Sequence, residues 1–156
     1  MQAEFEVQRA TTSTRTPGDD EFQLWLDAVP ADQASNYNLT VRIVDEPEAQ
    51  RINREYRAKD YATNVLSFPT ELPEGLPAEV RHSQLGDLLM CAPVVVREAM
   101  EQRRTEADHW AHLTIHGVLH LLGYDHENAD EAAEMESLEI GILAKLGISN
   151  PYLDIA

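Results

Sequence analysis

The residues best placed to do chemistry lie in one run, His116 to His126, reading HGVLHLLGYDH. His116 and His120 stand four positions apart, so on a helix they leave one face about a turn apart and can grip a single ion. Gly123 follows. A glycine there can take the left-handed backbone shape that ends a helix and reverses the chain, which turns His126 back towards the first two rings. Three neutral nitrogen donors and no fourth in the run describe a zinc site with one corner left open to water. A catalytic site needs that opening, whereas a structural site closes it.

The spacing agrees with the metzincin pattern H-E-x-x-H-x-x-G-x-x-H in its three histidines and its glycine. The glutamate is missing: Gly117 stands in its place, and in those peptidases the glutamate takes the proton from water. An intact ligand cage without the peptidase's base points to a zinc hydrolase acting on something other than peptides. Histidines at i, i+4 on an apolar helix are common without metal, so the third ring behind the glycine carries this reading.

Positioning these rings requires a helix that begins at Thr105 with Asp108 and runs to Leu122. His109 and His112 share the side of His116 and His120. Four imidazoles in one stripe bring polar nitrogens that need partners, so the first two are expected to line the approach or bond outer groups, not to ligate. A last helix over 129–146 has Ala132, Met135, Leu138, Ile142 and Leu146 as its inner stripe and ends at Gly147. Strands are read over 4–10, 39–45, 64–68 and 84–91 from alternating or apolar runs, the last two side by side. Asp19 or Asp20 caps a helix over 20–29 whose buried side is Phe22, Leu24, Trp25, Leu26 and Val29. Asp45 caps another, with Pro47 in its first turn and Glu48 placed for a reciprocal contact, ending near Arg57. Pro93 opens one more to about Gln102. Asp60, Thr63 and Asn64 suit a turn bonded to its own backbone. Residues 11–18 and 69–83 read as loops. Asp87 interrupts an apolar run and needs a partner there; with Asp125 it is a candidate for orienting an imidazole or an arginine.

A length of 156 residues suggests one domain over 1–156, large enough to fold without staples. The lone cysteine, Cys91, excludes an internal disulfide and reads as a small buried residue. No basic flank precedes an apolar core at the start, and no apolar run approaches a membrane span, so a cytoplasmic protein with no membrane partner is expected. The formal net charge of −16 argues against a polyanionic partner at long range. The charge is unevenly spread, however. Arg51, Arg54, Arg57 and Lys59 fall within nine positions, whereas Glu127 to Glu139 holds six acids and no base. Those cations form either a solvated helix face or a local path for a phosphate chain.

Taken together, HGVLHLLGYDH, YRAKDYATNVLSF at Tyr56 to Phe68 and LGDLLMC at Leu85 to Cys91 closely resemble the YbeY family of bacterial endoribonucleases. The similarity runs from the first strand to the last helix. It implies an α+β fold, a small mixed sheet packed by about five helices with a zincin-like helix and turn. It also implies one zinc ion on His116, His120 and His126, and Arg57 as the catalytic arginine. The expected activity is cleavage of single-stranded RNA in ribosomal RNA maturation, at the 3′ end of the small-subunit RNA, and in ribosome quality control. Small-subunit ribosomal proteins or an assembly GTPase are the expected partners. Two rivals remain: a non-catalytic assembly factor whose zinc braces the fold, and a zinc peptidase, which Gly117 disfavours.

Overall fold

The computed structural model describes residues 2–30, 36–77 and 83–153. Its elements are β1 (Gln2–Ala10), α1 (Asp19–Asp27), β2 (Asn36–Val44), α2 (Glu46–Arg57), β3 (Val65–Pro69), β4 (Gln84–Cys91), α3 (Ala92–Glu101), α4 (Glu106–Leu121) and α5 (Ala129–Lys145). The strands form one mixed sheet in the order β1-β2-β4-β3: β1, β2 and β4 run parallel and β3 is antiparallel to β4. This is an α+β fold, with β3 as the edge strand beside which the histidines lie.

The period of two in the strands sorts their side chains between two cores. Leu39, Val41, Ile43, Leu88 and Met90 face α1, α4 and α5 in the larger one. Val44, Leu89 and Cys91 face α2 and α3 in the smaller, with Ala49 and Val94. α4 is the pillar of the larger core: Trp110, Ile115 and Val118 are fully buried on it, each worth about 1.5–3 kcal/mol. That anchorage makes its other side a rigid platform. Cys91 is buried, as expected of a small core residue.

Several local expectations are corrected. Leu24 is 61% exposed, because the buried face of α1 is Phe22, Trp25, Leu26 and Val29, an i, i+3, i+4, i+7 stripe that Leu24 falls outside. Gly18, not Asp19 or Asp20, is the N-cap of α1; its N–H donates to Glu21 at 3.2 Å and the two aspartates lie within the first turn. Asp45 is the N-cap of α2, but its carboxylate turns away from the helix to accept from Thr11 and Thr12, tying down the loop after β1. Glu48 makes no reciprocal cap either, since Arg42 captures it through two bonds of 2.6 and 3.0 Å. Asp60 accepts from Gln50 and faces Arg54 instead of bonding its own turn. Asp87 is exposed, because β4 extends there past the helices that cover Leu89 and Cys91. In the 69–83 loop, Pro69 closes β3 and Thr70 N–H still pairs with Leu85 carbonyl at 3.1 Å. Residues 78–82 of that loop lie outside the described residues.

Candidate metal centre

α4 begins as its sequence suggests, with Thr105 Oγ1 accepting from Asp108 N–H at 3.1 Å. From there His109, His112, His116 and His120 climb one side of the helix. The flank beside that stripe meets the sheet so closely that a Cβ at Gly117 would lie 2.7 Å from Leu88 Cδ2 and 3.3 Å from Ser67 Oγ. Ser67 Oγ–H donates to Gly117 carbonyl at 3.0 Å. The position where a peptidase carries its base is therefore spent on helix-to-sheet contact, and a larger side chain there would have to push Leu88 and Ser67 aside.

At the other end, Gly123 has φ +104 and closes α4 with a Schellman turn: its N–H bonds His120 carbonyl and Tyr124 N–H bonds Leu119 carbonyl, each at 3.0 Å. The reversal brings the His126 ring to 5.9 Å from His116 and 5.0 Å from His120 between centroids. One ligand atom from each of the three imidazoles lies within 4.8 Å of the others.

The hydrogen bonds decide which nitrogen of each ring is available. His116 Nδ1–H donates to Glu139 Oε1, and His120 Nδ1–H donates to Tyr124 carbonyl at 3.0 Å. Both Nε2 atoms are thereby left as lone pairs, and they face each other 3.1 Å apart. Two acceptors at that distance repel unless a cation lies between them. Two nitrogens bonded tetrahedrally to one zinc would stand roughly 3.3 Å apart, so the pair fits such an ion. Burial, and after it the neighbouring His116, pushes His120 below the usual imidazole range and keeps it in the neutral form a metal requires.

Glu139 is fully buried, and it is the functional residue that sequence reasoning missed. It accepts from His116, from His112 Nε2–H at 3.2 Å and from the Tyr152 hydroxyl. Burial alone would raise its carboxyl, but these donors outweigh it and bring it down to about 2. The signal was present: Glu139 is the charged residue between Met135 and Ile142 on the inner stripe of α5. His112, His116 and Glu139 also approach one another closely enough to hold an ion. Their facing atoms already satisfy each other by hydrogen bonding, however, whereas the three-histidine set has nothing between its lone pairs.

His109 and His112 do not join the three-histidine set. Arg104 Nη1 donates to Nδ1 of both at 3.2 Å, so each presents Nε2–H, His109 to Glu98 at 2.9 Å and His112 to Glu139. Asp125 accepts its own neighbour's backbone, from His126 N–H at 2.8 Å, and so shapes the turn; among the described residues no hydrogen bond joins it to an imidazole. Asp87 takes no part in the groove.

The histidines form one wall of a groove of about 840 Å³. Arg57, Lys59 and Tyr61 also line it, as do Asn64 and, on β3, Ser67. Arg57 is the last residue of α2, held by an Nη2–H bond of 2.9 Å to Ser67 carbonyl and lying 5.7 Å from the centre of the Phe68 ring. Its remaining donors stay available. Arg51 and Arg54 do not line the groove, so the basic stripe divides: its C-terminal end reaches the site and the rest is solvated surface.

Residues 5–147 match the family model described as Endoribonuclease YbeY. Among curated relatives, the Endoribonuclease YbeY of Colwellia psychrerythraea is 50% identical over 153 residues, covering 96% of each chain. That of Halorhodospira halophila is 57% identical over 136 residues, covering 87% of this chain and 88% of the relative. In Xanthomonas campestris pv. campestris the identity is 53% over 146 residues, covering 94% and 91%. The solution structure of TM1509 from Thermotoga maritima superposes with a TM-score of 0.50 at 20% identity, over 90% of this chain and 91% of that one, and so agrees in fold.

Proposed function

Because the chain belongs to the YbeY family of endoribonucleases, we propose that it holds a zinc ion on His116, His120 and His126 and cleaves single-stranded RNA during ribosomal RNA maturation and ribosome quality control. The observation that carries the reading is the pair of Nε2 lone pairs facing each other at 3.1 Å, with both Nδ1 protons already taken. Bound zinc would supply a Lewis acid for the phosphoryl oxygen and lower the pKa of water towards neutrality.

The chain's own residues do the rest. Glu139 and the Tyr124 carbonyl hold two imidazoles in the ligating tautomer. Arg57, braced by Ser67 and lining the same groove as the rings, pairs with the phosphate and favours the charge that accumulates as the phosphodiester breaks. Gly117 leaves no side chain to serve as a peptidase's base. Among the described residues no helix is long and apolar enough to cross a membrane.

The test is paired. Untagged protein is assayed for metal content and for cleavage of a single-stranded oligoribonucleotide beside His120→Ala, which is expected to lose both together. A His120→Ala protein that stays folded, lacks metal and still cuts RNA would overturn the reading. Unchanged ribosomal RNA processing in cells carrying only that variant would favour the non-catalytic assembly role.

A further inference from the structure

Tyr152 stands between two hollows. It lines the histidine groove and also a separate cavity of about 300 Å³, whose walls include Arg103, Arg104, Asn150 and Pro151. Glu101 shares that lining, and two more carboxylates lie near, Asp108 acting on Arg104 and Glu136 on Tyr152.

On a chain of formal net charge −16, arginines are readily claimed by acids. Among the described residues Arg9, Arg15, Arg42, Arg54 and Arg97 each lie within 4.0 Å of a carboxylate. Arg103 and Arg104 do not, and the others left unpaired are Arg57 in the groove and Arg51 on the exposed face of α2. Both contacts of Arg104 are made through Nη1 to neutral imidazole nitrogens, which leaves Nε–H and Nη2 as donors.

The backbone at Arg103 is unusual for a residue with a side chain. Arg103 sits at the left-handed position of the Schellman turn closing α3, with φ +54, its N–H bonded to Met100 carbonyl and Arg104 N–H bonded to Ala99 carbonyl. Glycine is the low-cost residue there, and a side chain costs roughly 1–2 kcal/mol. Ala58 at the end of α2 is left-handed as well, with φ 56, so the turn fixes the backbone that carries Arg103 and does not by itself assign its side chain a role.

We propose that this cavity is a second phosphate subsite for the same RNA strand. It rests on the RNA-cleaving function proposed above. With the scissile phosphate beside the histidines and Arg57, the strand passes over Tyr152, 42% exposed, whose ring offers a stacking face to a base. A neighbouring phosphodiester then meets Arg103 and the free donors of Arg104.

The experiment maps the cut in a single-stranded oligoribonucleotide, trims the substrate nucleotide by nucleotide from each end, and compares wild type with Arg103→Asn and Arg103→Lys. Asparagine tolerates the left-handed backbone and removes the charge; lysine restores it. On the full-length substrate Arg103→Asn is expected to raise KM roughly two- to five-fold, the worth of one exposed ion pair, with kcat little changed and Arg103→Lys near wild type. The slope of log kcat/KM against log salt should flatten by about 0.7. The difference between variant and wild type should vanish once the nucleotides on one side of the cut are removed. An equal penalty on trimmed and full-length substrates, or none on either, overturns the subsite alone. Wild-type protein that cuts no RNA of any length overturns the functional proposal and the subsite with it.

Discussion

His116 and His120 each carry two ring nitrogens, and the structure uses one of each for orientation and leaves the other facing its neighbour. Glu139 is the more consequential of the two orienting groups, because it also satisfies His112 and Tyr152 from a fully buried position. Glu139→Gln is expected to fold and to bind metal about 10- to 100-fold more weakly, read by competition with a coloured chelator; unchanged affinity would remove Glu139 from the metal's support. Arg57→Ala should keep full metal content and lose cleavage by about 100-fold or more, the scale of losing a donor to transition-state charge, and full activity would exclude Arg57 from the chemistry. At this scale the sequence was informative wherever residue type and spacing coincide, as in His116, His120, Gly123 and His126. It marked Glu139 only as an acid on an apolar stripe, because its partners are 23 and 27 positions away in α4 and a lone acid in a helix stripe does not reveal which imidazoles it will meet.

Elements place those residues, and two glycines set how closely they pack. A Cβ at Gly86 would lie 2.1 Å from Phe68 carbonyl, on a backbone with φ +136, so Gly86→Ala should cost at least about 1–3 kcal/mol and loosen the β3 edge that bounds the groove, measured by urea unfolding. Gly117→Ala meets the end of a flexible leucine and should cost about 1–3 kcal/mol through overpacking. α3 and α4 are joined through Glu98, which accepts from His109 and from Asn64. Burial would raise its carboxyl, but these bonds hold it below its ordinary 4.5. Its contribution to stability is therefore present above about pH 4.5 and is lost as pH falls through its lower folded value. In metal-free protein, the urea midpoint of wild type should fall more steeply below about pH 4.5 than that of Glu98→Gln; parallel curves would contradict the assignment. Helices and strands were legible because their periods of 3.6 and 2 are local. The Thr105 cap was legible for the same reason, but the side-chain bonds expected at the start of α2 were not, because Thr11 and Arg42, distant or on another element, outcompeted the helix for Asp45 and Glu48.

For the whole molecule, the ion is expected to stabilise a core that forms without it. α4 is held by buried apolar side chains independently of the histidines, so chelation should lower the melting temperature and leave the protein folded at room temperature. Loading at 1,000 times Kd is worth about 4 kcal/mol, or roughly 8–16 °C in a domain of this size; loss of far-UV circular dichroism on chelation at room temperature would contradict this. The acidic body confines attraction for RNA to a few cations, so the salt dependence of cleavage should be shallow, corresponding to about two to four phosphate contacts. By itself the sequence determined the order of the elements and the three rings that can share an ion, because hydrophobic period, turn chemistry and ligand spacing act over a few residues, and its family resemblance carried the fold class. Only the tertiary structure decided which ring nitrogens are free, that Arg57 alone of its arginine stripe reaches the groove, and that Glu139 backs His112, His116 and Tyr152 from a buried position. Those depend on contacts between residues far apart in the chain, whose partners are chosen by packing and by competition among donors, which local pattern does not record.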